Sequence, residues 1–241
     1  MGTAIGVDVR DDGFEAVHLE PVFDWFRAVD ERFSPYKPDS EVSRLIRGEI
    51  DEAHVSRDLA DVLGMSEAIR RLTSGYFDVR RHRADGRPDP TGMVKGWSVE
   101  RGAAMLDEAG ASSFTINAGG DVVARGEPEP GQPWRVGIRH PRVADKVAAV
   151  LGVRDLAVAT SGAYERGEHI VDPHTGMAPD GLLSLTVVGP SLAYADAFAT
   201  AGFAMGRDGI AWVVGQPGYG AYAITTDDRA IWTPLVERLL V

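Results

Sequence analysis

The chain of 241 residues predicts one α+β domain spanning residues 1–241. Three observations carry that expectation. Apolar residues recur at helical spacing through the first quarter, and short alternating apolar segments divided by turn residues fill the middle. The chain also has no internal repeat, no low-complexity run and no linker. A composition of 44% hydrophobic and 25% charged residues is that of an ordinary globular chain with material for a sizeable core.

In order, residues 4–9 alternate as a strand, and residues 14–29 carry Val17, Phe23, Phe26 and Val29 at helical spacing, with Pro21 marking a break. Asp39 or Ser40 opens a second helix, and Ser56 opens a third with Leu59, Leu63 and Ile69 on one face. Residues 75–92 lose periodicity and gain turn residues, so they predict a loop feeding a helix over 94–106. Strands are expected at 114–117, 121–124, 134–138, 147–152, 157–160 and 183–188. Ser191 caps a helix of small residues running to about Met205, and a short helix near Ile210, strands near Tyr222 and Ile231 and a final turn close the chain.

Several function classes fall away on composition. A formal net charge of -11 is the wrong sign for a general nucleic-acid binder. With no cysteine there is no disulfide, thiolate metal site or cysteine nucleophile, so any metal must be held by oxygen or histidine. No stretch reaches the ~20 apolar residues of a membrane span, and the start MGTAIGVDVRDDGFEAV has no basic segment followed by an apolar run. These readings set the expectation of a cytoplasmic protein with no nucleic-acid or membrane partner.

Chemistry concentrates in two segments, SGAYERGEHIVDPHTG at 161–176 and ADAFAT at 195–200. Asp196 and Thr200, four apart on a helix, project from one face, and a carboxylate with a hydroxyl suits a hard cation such as Mg²⁺ or Ca²⁺. Ala195, Ala197, Ala199 and Ala201 around them would admit another backbone closely. The same spacing also fits an ordinary buried helix in which Thr200 bonds back to its own turn. His169 lies in a segment, 168–172, that reads as a strand ending in a turn of Asp172, Pro173, Thr175 and Gly176; it suits either a general base or a hydrogen-bonded structural histidine. His174 sits within the turn, and His18, His54, His82 and His140 have no metal-ligand spacing.

Two further segments qualify. NAGGD at 117–121 joins two expected strands through glycines that permit a tight turn or a close approach to a ligand. DPTGMVKG at 89–96 puts a carboxylate, a glycine and a lysine at a helix start, where an anion is favoured, although helix-start packing would use the same residues. The common glycine-rich nucleotide cradles are absent from the sequence.

Taken in order, FSPYKPDSEVS (33–43), GYFD (75–78), KGWSV (95–99), NAGGD (117–121), ATSG (159–162), HIVDPHTG (169–176) and ADAFAT (195–200) resemble the FAD:protein FMN transferases, the ApbE-like proteins, over nearly the whole chain. The resemblance implies a largely antiparallel sheet with packed helices. It implies FAD as substrate, cleavage of its pyrophosphate with Mg²⁺, transfer of FMN to a Ser or Thr hydroxyl of an acceptor flavoprotein, and release of AMP. Asp196 and Thr200 match the magnesium ligands, and Gly92 matches a position that contributes to the same ion, here through its carbonyl. Asp89 and Lys95 match FAD-contacting positions, Phe33 and Ile170 match the flavin-site lining, and His169 matches the histidine that helps deprotonate the acceptor hydroxyl. A non-catalytic FAD-binding protein and a Mg²⁺-dependent FAD hydrolase giving FMN and AMP stand beside the transferase as alternatives. The stretch between Asp78 and Asp89 is shorter than in many relatives and holds Arg80, Arg81, His82, Arg83 and Arg87, which either meet phosphate or face solvent.

Overall fold

The computed structural model describes residues 3–81, 85–143, 145–162 and 170–241. Among these, the alternating segments form nine strands: β1 (Ile5–Val9), β2 (Phe114–Ala118), β3 (Asp121–Arg125), β4 (Trp134–Arg139), β5 (Val147–Val153), β6 (Ala157–Gly162), β7 (Leu182–Gly189), β8 (Gly220–Thr225) and β9 (Ala230–Trp232). Seven make one sheet in the order β1-β2-β3-β6-β7-β8-β9, and every neighbouring pair is antiparallel. The remaining two, β4 and β5, pair as a separate antiparallel ribbon.

NAGGD is the two-residue turn between β2 and β3. Gly119 and Gly120 have φ of 63° and 102°, the left-handed region that a two-residue hairpin turn demands and side chains resist. The turn pairs Ala118 with Asp121, so Asp121 opens β3 at a fixed register.

The helices are α1 (Glu20–Phe33), α2 (Glu41–Arg47), α3 (Arg57–Leu72), α4 (Thr91–Glu108), α5 (Leu192–Ala204), α6 (Asp208–Val214) and α7 (Pro234–Glu237), with 3₁₀ turns at Ala16–Leu19 and Glu52–His54. Ser40, Ser56 and Ser191 cap as expected, their hydroxyls accepting from Ser43 N, Leu59 N and Tyr194 N.

Three expectations needed correction. Pro21 does not interrupt a helix but sits in the first turn of α1, where its missing N–H is not needed; Val17, in the 3₁₀ turn before it, is exposed. The helix expected over 94–106 starts a turn earlier, at Thr91, and so includes Gly92. Ile170–Asp172 carry no strand pairing, and the rest of the segment read as that strand lies outside the described residues.

Apolar side chains pack on both faces of the large sheet. On one face, Phe26 of α1, Val99 and Leu106 of α4 and Phe198 of α5 meet Phe114, Ile116 and Leu185. On the other, Val158 and Tyr222 meet Trp134, Ile138 and Leu151 of the β4–β5 ribbon and Val236 of α7. A third cluster joins α1, α2, α3 and α4 through Phe33, Leu45, Leu59, Ile69 and Met93. Among the described residues no helix is long and apolar enough to cross a membrane.

The contact that positions the site is the crossing of α4 on α5. Ala195, Ala197, Ala199 and Ala201 are fully buried, as their small size anticipated. Gly96 completes the approach: a Cβ there would lie 2.9 Å from both Ala193 Cα and Leu192 O, which are backbone atoms. Glu100 of α4 then caps α5, its Oε2 accepting from Ser191 Oγ at 2.6 Å and Ala193 N at 3.0 Å. A carboxylate at that N-terminus meets both orphan N–H groups and the positive end of the helix dipole.

Candidate active site

At the N-terminal end of α4, beside α5 and β6, lies a cavity of about 350 Å³. Its wall takes Thr91, Gly92 and Lys95 from α4, Asp196 and Thr200 from α5, and Thr160 and Ser161 from β6; Tyr76, Phe77, Asp78, Val79, Asp89, Ile170 and Val171 complete it from loops.

Charge at the cavity base is unevenly shared. Lys95 Nζ lies 2.6 Å from Asp121 Oδ2 and 3.5 Å from Asp196 Oδ1. The Asp121 side chain is 3% exposed and that of Asp196 8%, so one ammonium serves two carboxylates almost out of water. Asp121 Oδ1 also accepts from Thr160 N at 3.2 Å. Burial, and after it the negative charge of Asp196, pushes the Asp121 carboxyl up to about 7, against the opposing pull of Lys95 and the Thr160 bond. Among the described residues, Asp196 Oδ2 is buried with no hydrogen-bond partner, and Asp121 Oδ2 meets Lys95 as an ion pair without hydrogen-bond geometry. Beside it, Ser161 Oγ and Thr200 Oγ1 are 3.2 Å apart.

The walls are held by local bonds. Asp89 Oδ1 accepts from Thr91 Oγ1 at 2.7 Å and Thr91 N at 3.2 Å, and so braces the start of α4. The expected turn after Ile170 is present. Asp172 accepts from His174 N at 2.8 Å, Thr175 Oγ1 at 3.0 Å and, at its carbonyl, Gly176 N at 2.8 Å. Burial raises the Asp172 carboxyl, but the bonds from His174 and Thr175 outweigh it and leave the group below its ordinary value. His174 packs edge-on against Tyr76, with ring centroids 4.6 Å apart.

Of the residues that the sequence singles out, Asp89, Gly92, Lys95, Ile170, Asp196 and Thr200 line this one cavity. Phe33 does not. It is 2% exposed, packed 5.3 Å from the Trp97 ring in the helical core, because α1 continues past Val29 and Phe33 extends the buried stripe of Val22, Phe26 and Val29. His169 lies outside the described residues, next to Ile170. In the arginine-rich loop, Arg80 is paired with Glu52 through two bonds of 2.7 Å, and Arg87 lies 3.8 Å from Asp85, while His82 and Arg83 fall outside the described residues.

Asp121, Thr160 and Ser161 carry no individual role in the sequence reading, although NAGGD and ATSG contain them. The available signal was a carboxylate following a double-glycine turn.

The donors suit a hard cation. They are an open carboxylate oxygen on Asp196, the hydroxyls of Thr200 and Ser161 and the backbone of Gly92, all oxygen; among the described residues no three His, Asp or Glu side chains converge. Such a set matches Mg²⁺, which keeps several positions for water and substrate oxygen, better than zinc, which prefers nitrogen or sulfur.

Comparison with known proteins points to one family. The ApbE family model matches residues 1–84 and 80–223. A FAD:protein FMN transferase of Haemophilus influenzae is 25% identical, over 97% of this chain and 86% of its own length. One of Escherichia coli K12 is 32% identical over 74% of this chain and 55% of its own length. The fold is shared with the flavin transferase ApbE from Vibrio cholerae, at a TM-score of 0.82 and 23% identity over 100% of this chain and 96% of that one. It is shared equally with the apbe protein of Thermotoga maritima, at 0.83 and 22% identity over 99% and 96%.

Proposed function

Because this chain belongs to the ApbE family, we propose that it moves FMN from FAD to a Ser or Thr hydroxyl of an acceptor flavoprotein and releases AMP, with Mg²⁺ as its cofactor and residues 1–241 acting as one domain. The observation that carries this reading is the buried Asp196 Oδ2, without a hydrogen-bond partner among the described residues, on a cavity that also presents Lys95 and the start of α4.

Asp196, the Thr200 hydroxyl and the Gly92 carbonyl would hold the metal. When bound, Mg²⁺ supplies charge neutralisation to the pyrophosphate oxygens. Lys95 adds a positive charge on the same wall, and the first turn of α4, kept in shape by Asp89, offers N–H groups to an anion. Ile170 meets the flavin portion. The acceptor oxygen bonds to the FMN phosphorus as the phosphoanhydride bond to AMP breaks, and the hydroxyl proton passes to an imidazole nitrogen of His169. Positioning and charge stabilisation carry most of such a displacement.

The test is incubation of the protein with FAD, Mg²⁺ and candidate acceptors. Covalent flavin on an acceptor together with AMP is expected. FAD left intact would make the protein a binder, and free FMN with AMP in the absence of acceptor would make it a hydrolase. His169→Ala is expected to keep FAD binding and lower transfer by roughly 10²–10⁴-fold; unchanged turnover would remove that residue from the reaction.

A further inference from the structure

The division of Lys95 between two carboxylates has a geometric cause. Asp121 reaches the cluster from β3, where the Gly119-Gly120 turn sets its backbone and Thr160 N holds its Oδ1. Its Oδ2 lies 2.6 Å from the ammonium and Asp196 Oδ1 at 3.5 Å, so the distances alone set the nearer carboxylate apart; among the described residues neither Oδ2 has a hydrogen-bond donor in good geometry. Lysine carries its charge on a flexible four-carbon stem and readily turns toward an unmet carboxylate. Here the nearer carboxylate, on a rigid strand, draws it toward β3.

We propose that Asp121 is a positioning residue that holds the Lys95 ammonium away from Asp196 and thereby keeps Asp196 Oδ2 open to a divalent cation. This rests on the metal reading of Asp196 given above and adds to it a residue that acts through Lys95. Without the Asp121 carboxylate, Lys95 closes on Asp196 and becomes an internal competitor for the cation. Loss of a partner that orients a metal site in this way lowers affinity by roughly 10–100-fold.

Asp121→Asn also removes a negative charge, which by itself would weaken a nearby cation, so the test must separate position from charge. Mn²⁺ is the probe, since it takes the same oxygen donors, and its binding to FAD-free protein is read from the free-ion paramagnetic signal without turnover. Four proteins form a double-mutant cycle: unaltered, Asp121→Asn, Lys95→Gln and the double variant. The expected result is a roughly 10–100-fold affinity loss from Asp121→Asn when Lys95 is present, and a much smaller one, that of the lost charge alone, in the Lys95→Gln background. An equal loss in both backgrounds would mean that charge alone acts, and no loss with Lys95 present would mean that Asp121 does nothing to the site; either overturns the inference. If the unaltered protein binds no Mn²⁺, the metal reading itself fails, an outcome plainly different from normal binding that Asp121→Asn leaves untouched.

A crystal structure of Asp121→Asn gives an independent readout. The asparagine oxygen still accepts from Thr160 N, so the strand is retained, and Lys95 Nζ is expected within about 3 Å of an Asp196 oxygen. An ammonium left in its original place overturns the proposal. Should the asparagine variant fail to fold, Asp121→Ser removes the same carboxylate with less bulk and enters the cycle in its place.

Discussion

Glu67 on α3 and Asp121 at the cavity base are both carboxylates beside basic side chains, yet their acidities move in opposite directions. Glu67 accepts from Arg70 Nε at 2.7 Å and from Arg71 Nε at 2.7 Å, and those bonds, Arg70 first, hold its carboxyl down to about 2. Asp121 has a cation just as near, but its carboxyl is pushed up to about 7 by burial and then by Asp196. The nearest partner does not decide the sign; access to water does. On the surface of α3, water solvates all three groups, and such i,i+3 and i,i+4 pairs contribute little. Under α4, two carboxylates have left water with one ammonium between them, an arrangement that costs stability unless something else binds there. Strain of this kind at a cavity wall is a mark of function.

Asp196→Ala should break the contrast most sharply. It leaves Lys95 and Asp121 as a one-to-one pair, so thermal stability is expected to hold or rise while FMN transfer falls roughly 100-fold or more, with partial recovery in excess Mg²⁺. A melting temperature that falls together with activity would show that the carboxylate pair supports the fold instead of the site.

Next in size is Gly96→Ala. The added methyl meets backbone of α5, which has nowhere to go, so a loss of about 1–3 kcal/mol is expected in chemical denaturation, together with lower activity as Lys95 shifts against Asp196. Gly64→Ala, on the exposed side of α3 with nothing within 4 Å, should instead add about 0.5–1 kcal/mol. Similar results from the two would contradict the close α4–α5 approach.

The pH dependence follows from Asp121 with a definite sign. Its folded value is above the ordinary 3.8, so the folded chain keeps a proton that the unfolded chain releases. Its contribution is therefore greatest at and below the ordinary value and is lost as pH rises toward about 7. Asp107, raised chiefly by burial, acts in the same sense. Glu67 acts oppositely, losing its contribution only as pH falls from 4.5 toward about 2. Between these windows the melting temperature of the metal-free protein should decline as pH increases, and Asp121→Asn should flatten that decline. The smallest effect belongs to Glu67→Gln, expected to leave melting temperature near neutral pH and activity unchanged within error.

Local features were legible in the sequence because their physics is local. Ser40, Ser56 and Ser191 cap helices through bonds within one turn, and Asp196 and Thr200 share a face because four residues make about one helical turn. Asp121 was not legible as a partner of Lys95, since their meeting needs a hairpin turn, a sheet register and a helix crossing together. Phe33 went astray for a simpler reason. The family resemblance put it in the flavin-site lining, but α1 runs on to Phe33 and buries its ring in the helical core. The start of α4 was likewise set too late, which left Gly92 outside the helix whose first turn it occupies.

Trp97 follows Lys95 by two residues, about 3 Å further along the axis of α4, and its ring stands 5.3 Å from those of Trp25 and Phe33. Indole emission overlaps the absorption of an isoalloxazine ring, so a flavin entering the neighbouring cavity drains excitation from this pair. A flavin bound as proposed would thus give the chain its own optical gauge, its ultraviolet glow dimming as the cavity fills and returning as it empties, with no label attached.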